Sequence, residues 1–158
     1  MATRIVNPIN NISTAFQHGL GIQLVALVLF GSRARGDAHA DSDWDVLLIA
    51  HGLPSDAFDR HLLIKQLLPT EIRGAVSVLA RTPQEFEHSI SSLYLDIAMD
   101  GVVLFDCDDF IHRRLNILRE LIQNADLIRK RSPSGDVWLA PKCQTTPYQP
   151  LAWPLQIS

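Results

Sequence analysis

Apolar residues fall along this chain in blocks whose spacing alternates between strand-like and helix-like. The run Ile22–Phe30 is apolar but for Gln23, longer than a strand with one buried face requires, and predicts a central strand covered on both sides. Ahead of it, Asn7 and Pro8 read as an N-cap and first helical residue. They open a helix carried by Ile12 and Phe16 to about His18, which Gly19 and Gly21 stop. Trp44–Ala50 predicts a second strand. Past Gly52 and Pro54, the spacing of Phe58, Leu62, Leu63, Leu67 and Leu68 predicts an amphipathic helix.

A third strand is expected within Gly74–Arg81, around Val76, Val78 and Leu79. Thr82-Pro83-Gln84-Glu85 is a capping box with proline at the first helical position. One helix is expected from there, turning Phe86, Ile90, Leu93, Tyr94 and Ile97 inward. Gly101–Phe105 predicts a fourth strand. Asp106, Cys107 and Asp108 then precede a long helix through Ile128, closed by Arg129-Lys130-Arg131, whose charge suits a helix C-terminus. The pattern predicts an α/β (α+β) domain over residues 1–131, with a mixed sheet of about four strands flanked by helices. Residues 132–158 are different in kind. Pro133, Pro141, Pro147, Pro150 and Pro154 oppose regular structure, and Trp138, Tyr148 and Trp153 punctuate the stretch. Such a tail either lies across the domain and buries its aromatics or docks on a partner.

Composition narrows the options. A chain of 158 residues that is 47% apolar fits one core. Its net charge of −3 argues against a nucleic-acid surface. No apolar stretch is long enough to span a bilayer, and the N-terminus lacks a signal-peptide layout. Cys107 and Cys143 are far apart, so neither a disulfide nor a zinc site is expected, and the reading is a reduced cytoplasmic protein. None of the six histidines pairs with another at metal-ligand spacing; His39 alone falls in an interesting loop.

That loop carries the chemistry. Between the first two strands the chain reads G-S-R-A-R-G-D-A-H-A-D-S-D-W-D. Asp43 and Asp45 lie two apart, which on a strand places both carboxylates on one face. Paired oxygens suit Mg²⁺, a hard cation that commonly shares its shell with phosphates. Gly31 lets a phosphate approach the backbone, and the N–H groups opening a short helix over Ser32–Gly36 face it. A lone D-x-D is usually solvated charge, and Gly31 and Gly36 could simply mark a turn. The apolar Trp44 and Val46–Ile49 around the aspartates predict a buried strand, where a carboxylate needs a cation or a donor.

Through Gly31, Ser32, Ala34, Arg35, Gly36, then Ser42, Asp43 and Asp45, the sequence resembles the minimal nucleotidyltransferases of the DNA polymerase β superfamily. The resemblance extends from about Val6 to Arg131 and implies their fold. It implies transfer of AMP from ATP to a hydroxyl, with Asp43 and Asp45 holding one or two Mg²⁺ ions. Gly31, Ser32, Arg33, Arg35 and Ser42 would line the nucleotide. Arg35 either reaches a phosphate or pairs with Asp37 or Asp41. The pattern departs from the family in one place. Active members carry a third carboxylate on the next strand, where alignment on the capping box puts Ser77; Glu71 could replace it only if the chain bends back. Single-domain proteins resembling this one are often antitoxins that attach AMP to HEPN-domain toxins, so a protein partner of that kind is implied. The other reading is a module that has lost catalysis and acts by binding its partner.

Overall fold

The computed structural model describes residues 7–141. The N-cap expectation holds: Asn7 Oδ1 accepts from Ile9 N at 3.2 Å and starts helix α1, Pro8–Leu20. A single 3₁₀ turn, Gly21–Gln23, intervenes before strand β1, Leu24–Phe30. Ile22 belongs to that turn and is 96% exposed, so the apolar run overstates the strand by two residues. Helix α2, Gly31–Arg35, and strand β2, Trp44–Ala50, follow. Next come α3, Ala57–Leu67, the single turn α4, Thr70–Arg73, and β3, Val76–Arg81. On α3, Phe58 is 67% exposed and burial falls to Ile64, with Leu68 buried just beyond the helix.

The sheet order is β3-β2-β1-β4, with β4 spanning Val102–Asp106. Strand β1 is antiparallel to β2 and β4, while β2 and β3 run parallel. Its central place explains the continuous apolar run, because both faces meet protein. Val28 and Ala26 pack with Phe86, Leu95, Ile111 and Leu115 on one side. Leu27 and Leu29 pack with Ile12, Phe16 and Ile64 on the other. The expected mixed four-stranded sheet flanked by helices is therefore the observed architecture.

The capping box forms as read, with Glu85 N donating to Thr82 Oγ1 at 3.2 Å and Thr82 N donating to Glu85 Oε2 at 3.0 Å. The helix it opens is shorter than expected. It splits into α5, Pro83–Glu87, and α6, Ser92–Asp100. Ser89 Oγ donates back to Glu85 O, and Ser91 Oγ accepts from Tyr94 N to cap the second piece. Short hydroxyl side chains compete with helical hydrogen bonds in this way, which breaks the run. Leu93 consequently ends on the exposed side.

A second correction concerns the chain end. Helix α7 covers Phe110–Asn124 and stops at a turn where Asp126 has φ 49°. Arg129 and Lys130 do not cap it; they belong to strand β5, Ile128–Lys130, paired antiparallel with β6, Val137–Leu139. This hairpin crosses the expected boundary at Arg131, with Pro133 in its connecting loop and Pro141 just past its second strand. Trp138 is 3% exposed, and its Nε1 donates to Asp96 Oδ1 at 2.9 Å. Burial raises the Asp96 carboxyl above its usual range, opposed by that indole donor and by Arg129. Trp138→Phe keeps most of the packing but removes the donor, and should lower stability by about 1–2 kcal/mol in urea titrations. Tyr148, Trp153 and Cys143 lie outside the described residues.

Candidate active site

Strand β1 ends at Phe30, and Gly31 turns the chain with φ +70°. A side chain there would overlap Asp45, whose Cγ would lie 3.1 Å from a Cβ on Gly31. Glycine is thus required twice, by conformation and by the approach of a carboxylate. Helix α2 lasts five residues, and its first N–H groups, from Gly31 to Ala34, have no helical acceptor. Gly36, at φ 84°, closes it in the left-handed region.

The loop back to β2 is pinned by Arg33. Its guanidinium donates to Ser42 O at 2.9 and 3.3 Å and to Ala40 O at 3.2 Å, and lies 4.6 Å over the Trp44 ring. Ser42 Oγ accepts from His39 N at 2.8 Å, while His39 itself is exposed. The Arg33 side chain and the Ser42 hydroxyl therefore build the loop. Arg35 Nε lies 3.3 Å from Asp37 Oδ2, so of its two carboxylate options the pair formed is with Asp37.

Asp43 and Asp45 stand at the mouth of this loop. They are less buried than the apolar flank suggests: Asp43 is exposed and Asp45 half-buried, because deep burial begins only at Val46. Among the described residues neither carboxylate forms an ion pair or a side-chain hydrogen bond. Desolvation raises the Asp45 carboxyl above the ordinary range; the neighbouring Asp43 charge adds to this, and Arg35 opposes it. Two adjacent carboxylates with free oxygens, one already disfavoured as a bare anion, have a donor set that fits a hard divalent cation.

Strand register places Asp45 beside Phe30 on one side and Ser77 on the other. Partners in a parallel pair face the same way, so Ser77 shares the face of Asp45. From Asp43 and Ser77 a groove of about 530 Å³ runs between β3 and α3, bordered by Lys65, Arg60 and Glu85. Arg60 grips Glu85 through both oxygens at 2.8 and 2.9 Å, which lowers the Glu85 carboxyl to about 2. Glu71 sits on α4 and does not line this groove.

Histidine-to-histidine spacing does not reveal one acidic cluster, because it joins a single histidine to two aspartates. Asp106, Asp109 and His112 converge at the start of α7. Their spacing of three was the available signal. Asp106 accepts from Ile111 N and His112 N, at 3.0 and 3.1 Å, and the His112 ring at 2.5 Å. Since Asp106 pairs with Ala26 while Asp45 pairs with Phe30, the cluster occupies the other end of β1 and caps a helix.

A family model described as polymerase beta, nucleotidyltransferase matches residues 10–110. The chain belongs to the polymerase β nucleotidyltransferase family. A Methanocaldococcus jannaschii protein provisionally named protein adenylyltransferase MJ1305 is 30% identical over 123 residues, covering 73% of this chain and 84% of the relative. Among solved structures, a chain of a toxin–antitoxin complex with AMP-PNP aligns with TM-score 0.52 and 20% identity, covering 75% of this chain and 92% of its own. A mutant of the toxin–antitoxin MntA-HpeT aligns at TM-score 0.52 and 18% identity, with coverages of 75% and 92%. At such identities these likenesses establish the nucleotidyltransferase fold. Among the described residues, no helix is long and apolar enough to cross a membrane.

Proposed function

We propose that this protein is a Mg²⁺-dependent nucleotidyltransferase that moves AMP from ATP to a hydroxyl on a partner protein, as the antitoxin of a toxin–antitoxin pair acting in the cytoplasm. The carrying observation is the pair Asp43 and Asp45, without an ion-pair partner among the described residues, with Asp45 held against the Gly31 turn. The two carboxylates would hold Mg²⁺, which when bound neutralises charge on the α-phosphate and the departing pyrophosphate. Ser32 and the N–H groups from Gly31 to Arg33 would bind phosphate oxygens, and Arg33 would keep the loop in place through its carbonyl contacts. Arg35 would exchange Asp37 for a phosphate.

The likeness to chains of toxin–antitoxin complexes and the relative's adenylyltransferase name support a protein acceptor, of HEPN type by family resemblance. The net charge of −3 weighs against nucleic acid. Ser77 supplies no carboxylate beside the dyad, so this chain has no evident base for the acceptor hydroxyl at that position. That feature favours the second reading, a binding module without transfer.

The two readings separate in one assay. The protein is incubated with Mg²⁺, ATP and the product of its neighbouring gene, with label in either the α- or the γ-phosphate. Label should pass to protein from the α position alone, and not from Asp43→Ala. Tight partner binding without transfer, indifferent to Asp43→Ala, would establish the module instead. Ser77→Asp should tighten Mn²⁺ or Mg²⁺ binding by about tenfold and raise the transfer rate, since a third charge then faces Asp45. Unchanged metal affinity and rate would remove Ser77 from the site.

A further inference from the structure

The hairpin β5–β6 lies beyond residues 10–110, the stretch that matches the family model, yet it reaches the nucleotide loop. Arg131 follows β5 directly and brings Nη1 to 3.7 Å from Asp37 Oδ2, the same oxygen that faces Arg35 Nε at 3.3 Å. Two guanidiniums therefore share one exposed carboxylate. The strand that delivers Arg131 is firmly held. Two residues earlier, Arg129 grips Asp100 through both oxygens at 2.6 and 3.0 Å. It also lies 3.5 Å from Asp96 and 3.7 Å from Asp136, and 5.6 Å from the Trp138 ring. Arg131 itself is 65% exposed, so its pair with Asp37 contributes little to stability.

At Asp37 itself two cations meet one anion. Arg35 and Arg131 carry two positive charges against the single charge of Asp37, and the Asp100 carboxyl, held low chiefly by Arg129, also feels both. Arg35 lies near enough to Asp45 to lower its carboxyl. Two guanidiniums that share one exposed carboxylate beside a metal-binding dyad suit an incoming polyanion with several charges close together.

Resting on the reading of the site as one for ATP, we propose that Arg131 is a second phosphate-binding cation. It acts with Arg35 on the outer phosphates of a nucleoside triphosphate, and Asp37 gathers the two guanidiniums until the triphosphate displaces it. The outer phosphates are assigned because the inner one must meet the dyad. The hairpin is then part of the substrate site in this chain.

Calorimetric titration of the full chain with ATP, AMP and inorganic tripolyphosphate, each with Mg²⁺, tests this. Arg131→Ala should weaken ATP and tripolyphosphate by about three- to tenfold and leave AMP unchanged. Arg131→Lys should recover part of the loss. Asp37→Asn should tighten both polyphosphates, because it removes a competitor; a residue that only braced the loop would loosen them. Melting temperatures recorded alongside should stay level for Arg131→Ala. If the wild-type protein binds ATP and Arg131→Ala binds it equally well, or loses AMP to the same extent, Arg131 is a surface ion pair and the proposal fails while the ATP reading stands. If the wild-type protein binds neither ATP nor tripolyphosphate, both fall together.

Discussion

Asp45→Asn should abolish nucleotidyl transfer, by a factor on the order of 10³, while leaving a protein that resists unfolding better than the parent. The two halves of this result have one cause. Asp45 is half-buried beside Asp43, and desolvation together with that neighbour raises its carboxyl. A carboxylic acid whose folded value exceeds its unfolded value binds its proton more tightly in the native state. Stability of the metal-free protein therefore falls as pH rises from the unfolded value to the raised one, and stays lower at neutrality. Asparagine has the same shape and carries no charge, so it removes that loss. It also removes a metal ligand. Thermal unfolding in EDTA between pH 4 and 8 should show Asp45→Asn gaining on the parent as pH rises. With Mg²⁺ added, the parent should gain stability and the variant should gain much less. A variant that is less stable in EDTA at neutral pH would mean that the carboxylate is structurally satisfied, contrary to the absence of partners for it among the described residues.

Gly31→Ala should be the most damaging single change to the fold near this site, at about 2–4 kcal/mol. At φ +70° a side chain costs roughly 1 kcal/mol from the left-handed backbone alone. The added methyl also collides with the Asp45 carboxylate, and relieving that overlap adds roughly 1–3 kcal/mol. The methyl is not free to choose where it goes, because Phe30 and Asp45 are register partners in the same ladder. Relief must come from turning Asp45 or from opening the turn, and either disturbs the dyad. Urea unfolding gives the stability change, and Mn²⁺ titration gives the site change; both should move together. Gly36→Ala is the useful comparison. It shares the positive φ, but nothing lies near the new methyl, so it should cost only the backbone part and leave metal binding alone.

How far the sequence could be read depended on the range of the interactions involved. The helix starts were legible, since Asn7 and Thr82 cap groups two and three residues away. Strand β1 was legible because a strand covered on both faces must be apolar throughout. The break between α5 and α6 was harder to see. Ser89 and Ser91 carry the signal, but the apolar spacing of Phe86, Ile90 and Ile97 runs straight across it. Charge alone misplaces the end of α7, because Arg129, Lys130 and Arg131 suit a helix terminus. What claims Arg129 is Asp100, distant in sequence, and no local pattern reports such a partner.

The candidate site divides in the same way. By itself the amino-acid order determined the alternation of strands and helices, the glycine turn, the two aspartates on one face and membership of a nucleotidyltransferase-like pattern. These are properties of neighbouring residues and of side-chain alternation. The tertiary structure alone decided which cations remain available. It fastened Arg33 to the loop carbonyls and Arg60 to Glu85, and it set Ser77 beside Asp45. It brought Arg131 to the carboxylate that already holds Arg35. Apart from the Arg33 contacts, which stay within one loop, these depend on distant chain segments meeting, where packing and charge select partners that sequence proximity does not encode.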